Sequence, residues 1–172
     1  MHARLGRIVL TTVAAAGLVS GCGSDGTGTG PAVERWSATL AGSNEVPAVT
    51  TTTASGTATF EAVGDTAISF TVSVTGLTGM TMGHIHTGAS TVNGGILVWL
   101  LPANGTAAQS PSPQLTGVIS TGTLAQSWIR GSPAITLDSL KKLMRTRTAY
   151  VNVHTSAFGG GEIRGQVGPA QQ

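Results

Sequence analysis

The stretch AISFTVSVT at residues 67–75 decides the fold class. Every second position in it is apolar, and these positions are Ile68, Phe70, Val72 and Val74. Because successive side chains of a β-strand point to opposite faces, this alternation predicts a strand with one buried face. Residues 56–62 alternate in the same way, and the intervening residues 63–66 (VGDT) are typical of a hairpin turn. The sequence therefore predicts an antiparallel pair of strands over residues 56–75.

Strand signals recur along the rest of the chain. Six further strands are predicted at 36–40, 80–87, 95–101, 114–124, 149–155 and 162–167. One helix is predicted over 136–145, where Thr136 can cap the N-terminus and an apolar face recurs at helical spacing. We therefore predict an all-β domain with one short helix, as an antiparallel Greek-key-like β-sandwich or a partly open barrel. The residues expected in its core include Trp36, Trp99 and Trp128.

Composition excludes several classes of protein. Charged residues make up 9% of the chain, against about 25% in an ordinary soluble domain. The nine Lys and Arg residues are scattered, so a nucleic-acid-binding surface is not expected. The hydrophobic fraction of 40% argues against a disordered chain. A hydrolase is disfavoured because the sequence has no G-x-S-x-G motif and no close pair of carboxylates.

The N-terminus is predicted to be a lipoprotein signal peptide over residues 1–21. Arg4 and Arg7 precede an apolar stretch at 8–19, which is too short to span a bilayer comfortably. The sequence VSGC at 19–22 then resembles the lipobox of bacterial lipoproteins, in which the cysteine is lipidated and becomes the new N-terminus. Cys22 is the only cysteine of the chain. The alternative is an ordinary secretory signal with an incidental cysteine.

Lipidation at Cys22 implies a definite organisation of the mature chain. Residues 22–34 would form a flexible tether, 35–168 the β domain and 169–172 a short tail. Cleavage removes Arg4 and Arg7, which leaves seven basic and seven acidic residues and a net charge of zero. We expect a cell-envelope protein attached to a membrane through Cys22, on the periplasmic face of the outer membrane or on the cell surface. The sequence identifies no protein partner.

Three histidines carry the chemistry of the predicted mature chain. His84 and His86 are two residues apart on one predicted strand, so their imidazoles share a face at about 7 Å. His154 shares its face with Tyr150 and Asn152 on a later strand. On the last strand the polar face carries Glu162, Arg164 and Gln166. If these strands are neighbours, the three imidazoles can form one metal site.

Imidazole ligands suit copper, zinc and nickel, and three of them leave a position open on the ion. A liganding histidine usually needs a partner on its second nitrogen, for which Asn152 and Glu162 are candidates. The alternative is that these histidines only hydrogen-bond the backbone of turns. Arg164 is interpreted either as a structural partner of Glu162 or a carbonyl, or as a catalytic residue. Glu45, in a strand-to-loop corner, is a secondary binding candidate.

Several ordered motifs together resemble the CHRD domain, which is named after chordin and also occurs in many bacterial exported proteins. They are LAGSNEVP (40–47), GTATF (56–60), GLT (76–78), GHIH (83–86), YVNVH (150–154) and GGEIRGQ (160–166). This resemblance implies an extracytoplasmic β-rich domain over about residues 35–168. It implies little about activity.

The order of the histidines and of the Gly-Gly-x-x-Arg stretch is also similar to copper-zinc superoxide dismutases. That similarity implies copper ligands at His84, His86 and His154, and an Arg164 that guides an anionic substrate. The bridging histidine, the zinc-site aspartate and the disulfide of that family have no clear match here. Two functions stay open: a lipoprotein that binds copper, or zinc, and a non-catalytic interaction or structural module. The residues favour a non-enzyme; the enzymatic alternative is a copper-dependent, superoxide dismutase-like activity.

Overall fold

Eight β-strands form one antiparallel sheet in residues 33–131 and 133–171, the part of the chain that this computed structural model describes. The strands are β1 (Arg35–Ala41), β2 (Ser55–Val63), β3 (Ala67–Leu77), β4 (Met80–Thr87), β5 (Ile96–Leu101), β6 (Leu115–Ala125), β7 (Ala149–Thr155) and β8 (Ile163–Pro169). The α-helix of this part is α1 (Leu137–Arg145). The predicted all-β class with one short helix is confirmed.

The sheet curls into a nearly closed barrel. Its strand order is β5-β4-β7-β8-β1-β2-β3-β6, and the two edge strands meet where Ser120 Oγ donates to Leu100 O at 2.7 Å. After β4, β5 and β6, the chain returns through α1 to place β7 beside β4, which is a Greek-key connection. Of the two predicted architectures, the structure is therefore the partly open barrel.

The barrel interior holds the hydrophobic core. Its largest fully buried apolar side chains are Trp36, Leu40, Ile68, Leu77, Ile85, Leu100, Leu124, Leu140, Met144 and Ile163. On β4 and β7 the inward positions include Ile85, Val151 and Val153, so the histidines between them point to the outer face. All seven residues of β7 are nevertheless buried. The outer face of this part of the barrel must therefore be covered as well.

Connecting loops provide that cover. They are the β1–β2 connection (42–54), the β4–β5 loop (88–95) and the β7–β8 loop (156–162). Glu162 fastens the first and the third, because its carboxylate accepts hydrogen bonds of 2.6 Å from Thr52 and from Thr155. Asn93 joins the first to the second by donating to Val46 O at 2.6 Å. Three loops are thus tied to one another over the polar face.

The predictions made for the N-terminus lie outside the described residues. They are the signal peptide at 1–21, lipidation of Cys22 and nearly all of the tether at 22–34. Within the described part, none of the helices has the length and apolarity that a membrane-spanning helix needs.

Ile85 offers a test of the inward face of β4, because it lies between the two histidines and is fully buried. We expect Ile85→Ala to lower the free energy of unfolding by about 2–5 kcal/mol, since it leaves a cavity in the core. Val118→Ala is the control, because Val118 is 62% exposed on β6 and its truncation should change stability by less than about 0.5 kcal/mol. Chemical denaturation measures both. Equal effects of the two substitutions would contradict the inward position of Ile85.

Candidate metal centre

The pairing of β4 with β7 brings the three histidines together. His84 lies opposite Asn152, and His154 lies opposite Met82, one step along the same face. One ligand nitrogen from each of His84, His86 and His154 lies within 4.8 Å of the other two. His84 Nδ1 and His154 Nε2 are 3.2 Å apart. The structure therefore gathers the residues that the sequence singled out as ligands.

Two backbone carbonyls fix the orientation of two of the rings. His86 Nδ1 and His154 Nδ1 are each 3.0 Å from a carbonyl oxygen, of Gly94 and Gly159 respectively. A carbonyl can only accept, so each Nδ1 carries the proton and each Nε2 keeps its lone pair. Asn152 and Glu162, which the sequence proposed for this orienting role, do not hydrogen-bond a histidine in the described residues. The supporting groups come from the loops instead.

The separations suit a small metal ion. With bonds of about 2.0–2.1 Å, nitrogens 3.2 Å apart subtend an angle of roughly 100° at the ion, close to tetrahedral. The same bonds span at most about 4.1 Å, so the widest separation, up to 4.8 Å, would close by a small rotation of one ring. Three ligands then leave one coordination position open.

Burial keeps all three imidazoles neutral. His84 is fully buried, and this burial, with the charges of His154 and His86, lowers its pKa to about 3. Burial lowers the pKa of His86 to about 4, against the opposing effect of the bond to Gly94 O. The pKa of His154 is also lowered by burial, although its bond to Gly159 O acts in the opposite direction. A neutral imidazole is the form that binds metal.

Buried polar atoms without partners concentrate around this group. Five such side-chain atoms occur in the described residues, and four of them are His84 Nε2, His86 Nε2, Asn152 Oδ1 and Glu45 Oε1. The fifth, Trp36 Nε1, belongs to the core. Leaving a buried polar group unsatisfied costs about 1–3 kcal/mol. Four of them in one place indicate a site built to hold something.

Glu45 and Asn152 form the polar flank of the site. Asn152 lies opposite both His84 on β4 and Arg164 on β8, and its Nδ2 donates to Glu45 Oε2 at 3.3 Å. Burial raises the pKa of Glu45 to about 7, while the charge of Arg164 and the bond from Asn152 oppose the rise. Glu45 was only a secondary candidate in the sequence, because its position beside Asn152 depends on how the β1–β2 connection folds back.

That flank borders a cleft of about 390 Å³. The cleft lies between the β1–β2 connection and the β4–β5 loop, and it is lined by Ser43, Asn44, Glu45, Val46, Ser90, Thr91, Arg164 and Gln166. Seven of these eight residues are polar, and Glu45 is one of them.

Two aromatic rings enclose the histidines. Trp99 on β5 meets His84 edge to face, with ring centroids 4.2 Å apart. Tyr150 on β7 stacks on His86 at 4.9 Å and an interplanar angle of 6°. The sequence placed Trp99 in the core, and this was wrong: Trp99 lies between the fully buried Val98 and Leu100 and pairs with His84, so it is half-buried on the outer face. An unbroken apolar run does not show which face each side chain takes.

Arg164 on β8 and Glu162, just before this strand, fasten the loops over the site. Arg164 is 1% exposed and Glu162 is 6% exposed. Glu162 holds Thr52 and Thr155, as described above. The acceptors of Arg164 are Ala89 O, Val92 O, Asn93 Oδ1 and Gln166 Oε1, at 2.8–3.4 Å. A role for Arg164 in catalysis stays a prediction.

The pKa shifts predict how pH acts on the metal-free domain. Below pH 6.5 the unfolded chain protonates its histidines, whereas the folded chain resists protonation to about pH 4 at His86 and about pH 3 at His84. The stability present above pH 6.5 is therefore lost as the pH falls. Glu45 opposes this trend, because its folded carboxyl takes up a proton between about pH 7 and 4.5. The three histidines together contribute more to the pH dependence of the free energy of unfolding than the one carboxyl does, so the net effect is a loss of stability.

We expect the free energy of unfolding to fall by roughly 2–4 kcal/mol between pH 7.5 and 5, at about 1.4 kcal/mol for each pKa unit. Denaturant unfolding in chelator-treated buffer measures this change. The control is the triple variant with Gln at all three histidine positions, in which the fall should vanish and the remaining effect of Glu45 should have the opposite sign, with stability rising as the pH falls. A wild-type stability that does not change over this range would contradict the assignment of neutral histidines.

Comparison with known proteins agrees with this architecture. None of the curated proteins matches the chain. A family model described as the CHRD domain matches residues 36–167, which covers all eight strands except the ends of β1 and β8. The chain therefore belongs to the CHRD domain family, an extracellular-type β module.

Proposed function

We propose that this domain binds one copper ion per chain through His84, His86 and His154. The observation that carries the proposal is the convergence of three buried, neutral imidazoles, each of which places one ring nitrogen within 4.8 Å of the other two. Of the first-row divalent ions, Cu²⁺ forms the strongest complexes with nitrogen ligands, and imidazole also suits zinc. Copper is therefore the first ion to test and zinc the second.

The arrangement and the neutral charge of the three imidazoles favour binding of the ion. The ligands are already neutral at pH 7, so binding does not have to displace protons from them. Two of the three rings are fixed by loop carbonyls before an ion arrives, which reduces the entropy lost on binding. The three nitrogens leave a position for water or another small ligand. These features support a module that binds or buffers copper outside the cytoplasm.

Metal titration of the purified domain, residues 33–172, tests the proposal. We expect one Cu²⁺ per chain with a Kd below about 1 μM, and a loss of at least about 100-fold in affinity for His86→Ala and for His154→Ala, since each removes one of three ligands. Thr57→Ala is the control, because Thr57 is exposed on β2 and its loss should leave affinity unchanged.

Two outcomes would change the conclusion. If zinc binds with the same dependence on the histidines and copper does not, the metal is zinc. If neither binds more tightly than about 1 μM, the metal site is rejected. In that case the domain is best read as a non-catalytic interaction or structural module, and triple His→Ala protein should lose only stability.

We propose in addition that the chain is exported and anchored to a membrane through a lipid on Cys22. The support comes from the sequence: a basic start, a short apolar stretch, VSGC at 19–22 and a single cysteine. The membership of the CHRD family, an extracellular-type module, agrees with export.

Expression of the full chain in a bacterial host that processes lipoproteins tests the anchor. We expect wild type in the membrane fraction, labelled by radioactive fatty acid, because acyl chains on the terminal cysteine partition into the bilayer. Cys22→Ser should appear in the soluble fraction without label, and Ser24→Ala should behave like wild type. Equal membrane association of Cys22→Ser and wild type would rule out a lipid anchor at this residue.

A further inference from the structure

We propose that Arg164 is a positioning residue that decides which nitrogen of His86 faces the metal. This inference deepens the proposed metal site and rests on it. In this role the guanidinium of Arg164 binds the β4–β5 loop and does not contact a substrate. The loop is then part of the metal site. Arg164 acts on the β4–β5 loop, and the loop acts on His86.

Arg164 holds the β4–β5 loop at three points. One terminal nitrogen of the guanidinium donates to Ala89 O at 2.8 Å and to Val92 O at 2.9 Å. The other donates to Asn93 Oδ1 at 2.9 Å. Bonds from a charged donor are about twice as strong as neutral ones, and the planar fork can serve several acceptors in one plane. The loop is therefore fixed immediately before Gly94.

Gly94 passes this constraint to His86. Its carbonyl oxygen accepts the proton on His86 Nδ1 at 3.0 Å, and its N–H donates to the hydroxyl of Tyr150 at 3.1 Å. Both polar groups of one residue are thus used within the site. Because Gly94 O occupies Nδ1, the nitrogen left for an ion is Nε2, which is buried without a partner.

The same residues also form a stack. The Arg164 guanidinium carbon lies 3.5 Å from the centroid of Tyr150. The same ring also stacks on the nearly parallel imidazole of His86, with ring centroids 4.9 Å apart. A guanidinium favours the face of an aromatic ring, and the contact is stronger when both are desolvated, as Arg164 and Tyr150 are here. Tyr150 therefore limits rotation of His86 while Gly94 sets its tautomer.

The tautomer of His86 can be read in the metal-free protein by long-range ¹H–¹⁵N NMR of the imidazole rings. We expect wild type to show a single form protonated at Nδ1. Arg164→Gln and Arg164→Lys should show both tautomers, because neither side chain can hold three acceptors in one plane. Arg130→Lys is the matched control, since Arg130 is an exposed arginine with one side-chain bond, to Asn104.

Tyr150→Phe provides a second variant in case replacement of the buried Arg164 prevents folding. It keeps the stacked ring and removes the hydroxyl that receives the Gly94 N–H, so we expect a smaller but measurable population of the Nε2-protonated form. If the folded Arg164 variants keep His86 protonated only at Nδ1, the inference is wrong. If those variants do not fold, an unchanged tautomer in Tyr150→Phe overturns it.

Copper binding separates this inference from the proposed function. Loss of groups that support a ligand typically weakens metal affinity by about 10–100-fold, so we expect that loss for Arg164→Lys, with an altered Cu²⁺ EPR spectrum. Wild type that binds no metal removes the proposed function, whereas the tautomer result still stands. Wild type that binds copper with unchanged affinity and EPR spectrum in Arg164→Lys contradicts the positioning role and leaves the metal site in place.

Discussion

The domain depends on the burial of three uncharged imidazoles on the outside of its barrel. Alternation on β4 and β7 sends aliphatic side chains inward and His84, His86 and His154 outward. An outward imidazole would normally meet water and titrate near pH 6.5. Here three loops exclude water, which lowers the pKa of each ring. The pairing of β4 with β7 brings their nitrogens together. The site is therefore present only while these loops cover the histidines.

That requirement explains why Glu162, just before β8, and Arg164, on β8, are buried. The outer face of this part of the barrel offers few apolar side chains for a loop to pack against, so adhesion has to come from hydrogen bonds. Glu162 binds two threonines, and Arg164 binds one loop through three acceptors. A buried charge is tolerated when every bond around it is made. In a chain with 9% charged residues, such placements are conspicuous.

The strand predictions rest on period-two patterns in the sequence. Such patterns show which face of a strand a side chain takes, but not which residues it contacts. They gave the strands, the common face of His84 and His86, and the polar face of β7, whereas the helix was predicted from its cap and an apolar face at helical spacing. They could not identify the backbone carbonyls that orient His86 and His154. Every residue has a backbone carbonyl, so residue type does not show which one accepts a hydrogen bond. The patterns also did not show that Trp99 takes the outer face of an unbroken apolar strand, or that Glu45 returns to Asn152 across 107 positions. These features follow from register and loop shape.

The partnerless atoms show how stability and binding are related in this domain. Glu45, Asn152 and two histidines leave polar atoms unsatisfied in a buried place, which costs free energy in the metal-free state. The Arg164 and Glu162 networks keep the loops closed in spite of that cost, so the ligands are arranged before an ion arrives. An ion that satisfies the histidines would stabilise the folded state in proportion to its affinity and concentration. Because hydrogen bonds from Glu162 and Arg164 hold the loops, a bound ion would add to the stability of a fold that these protein groups already support.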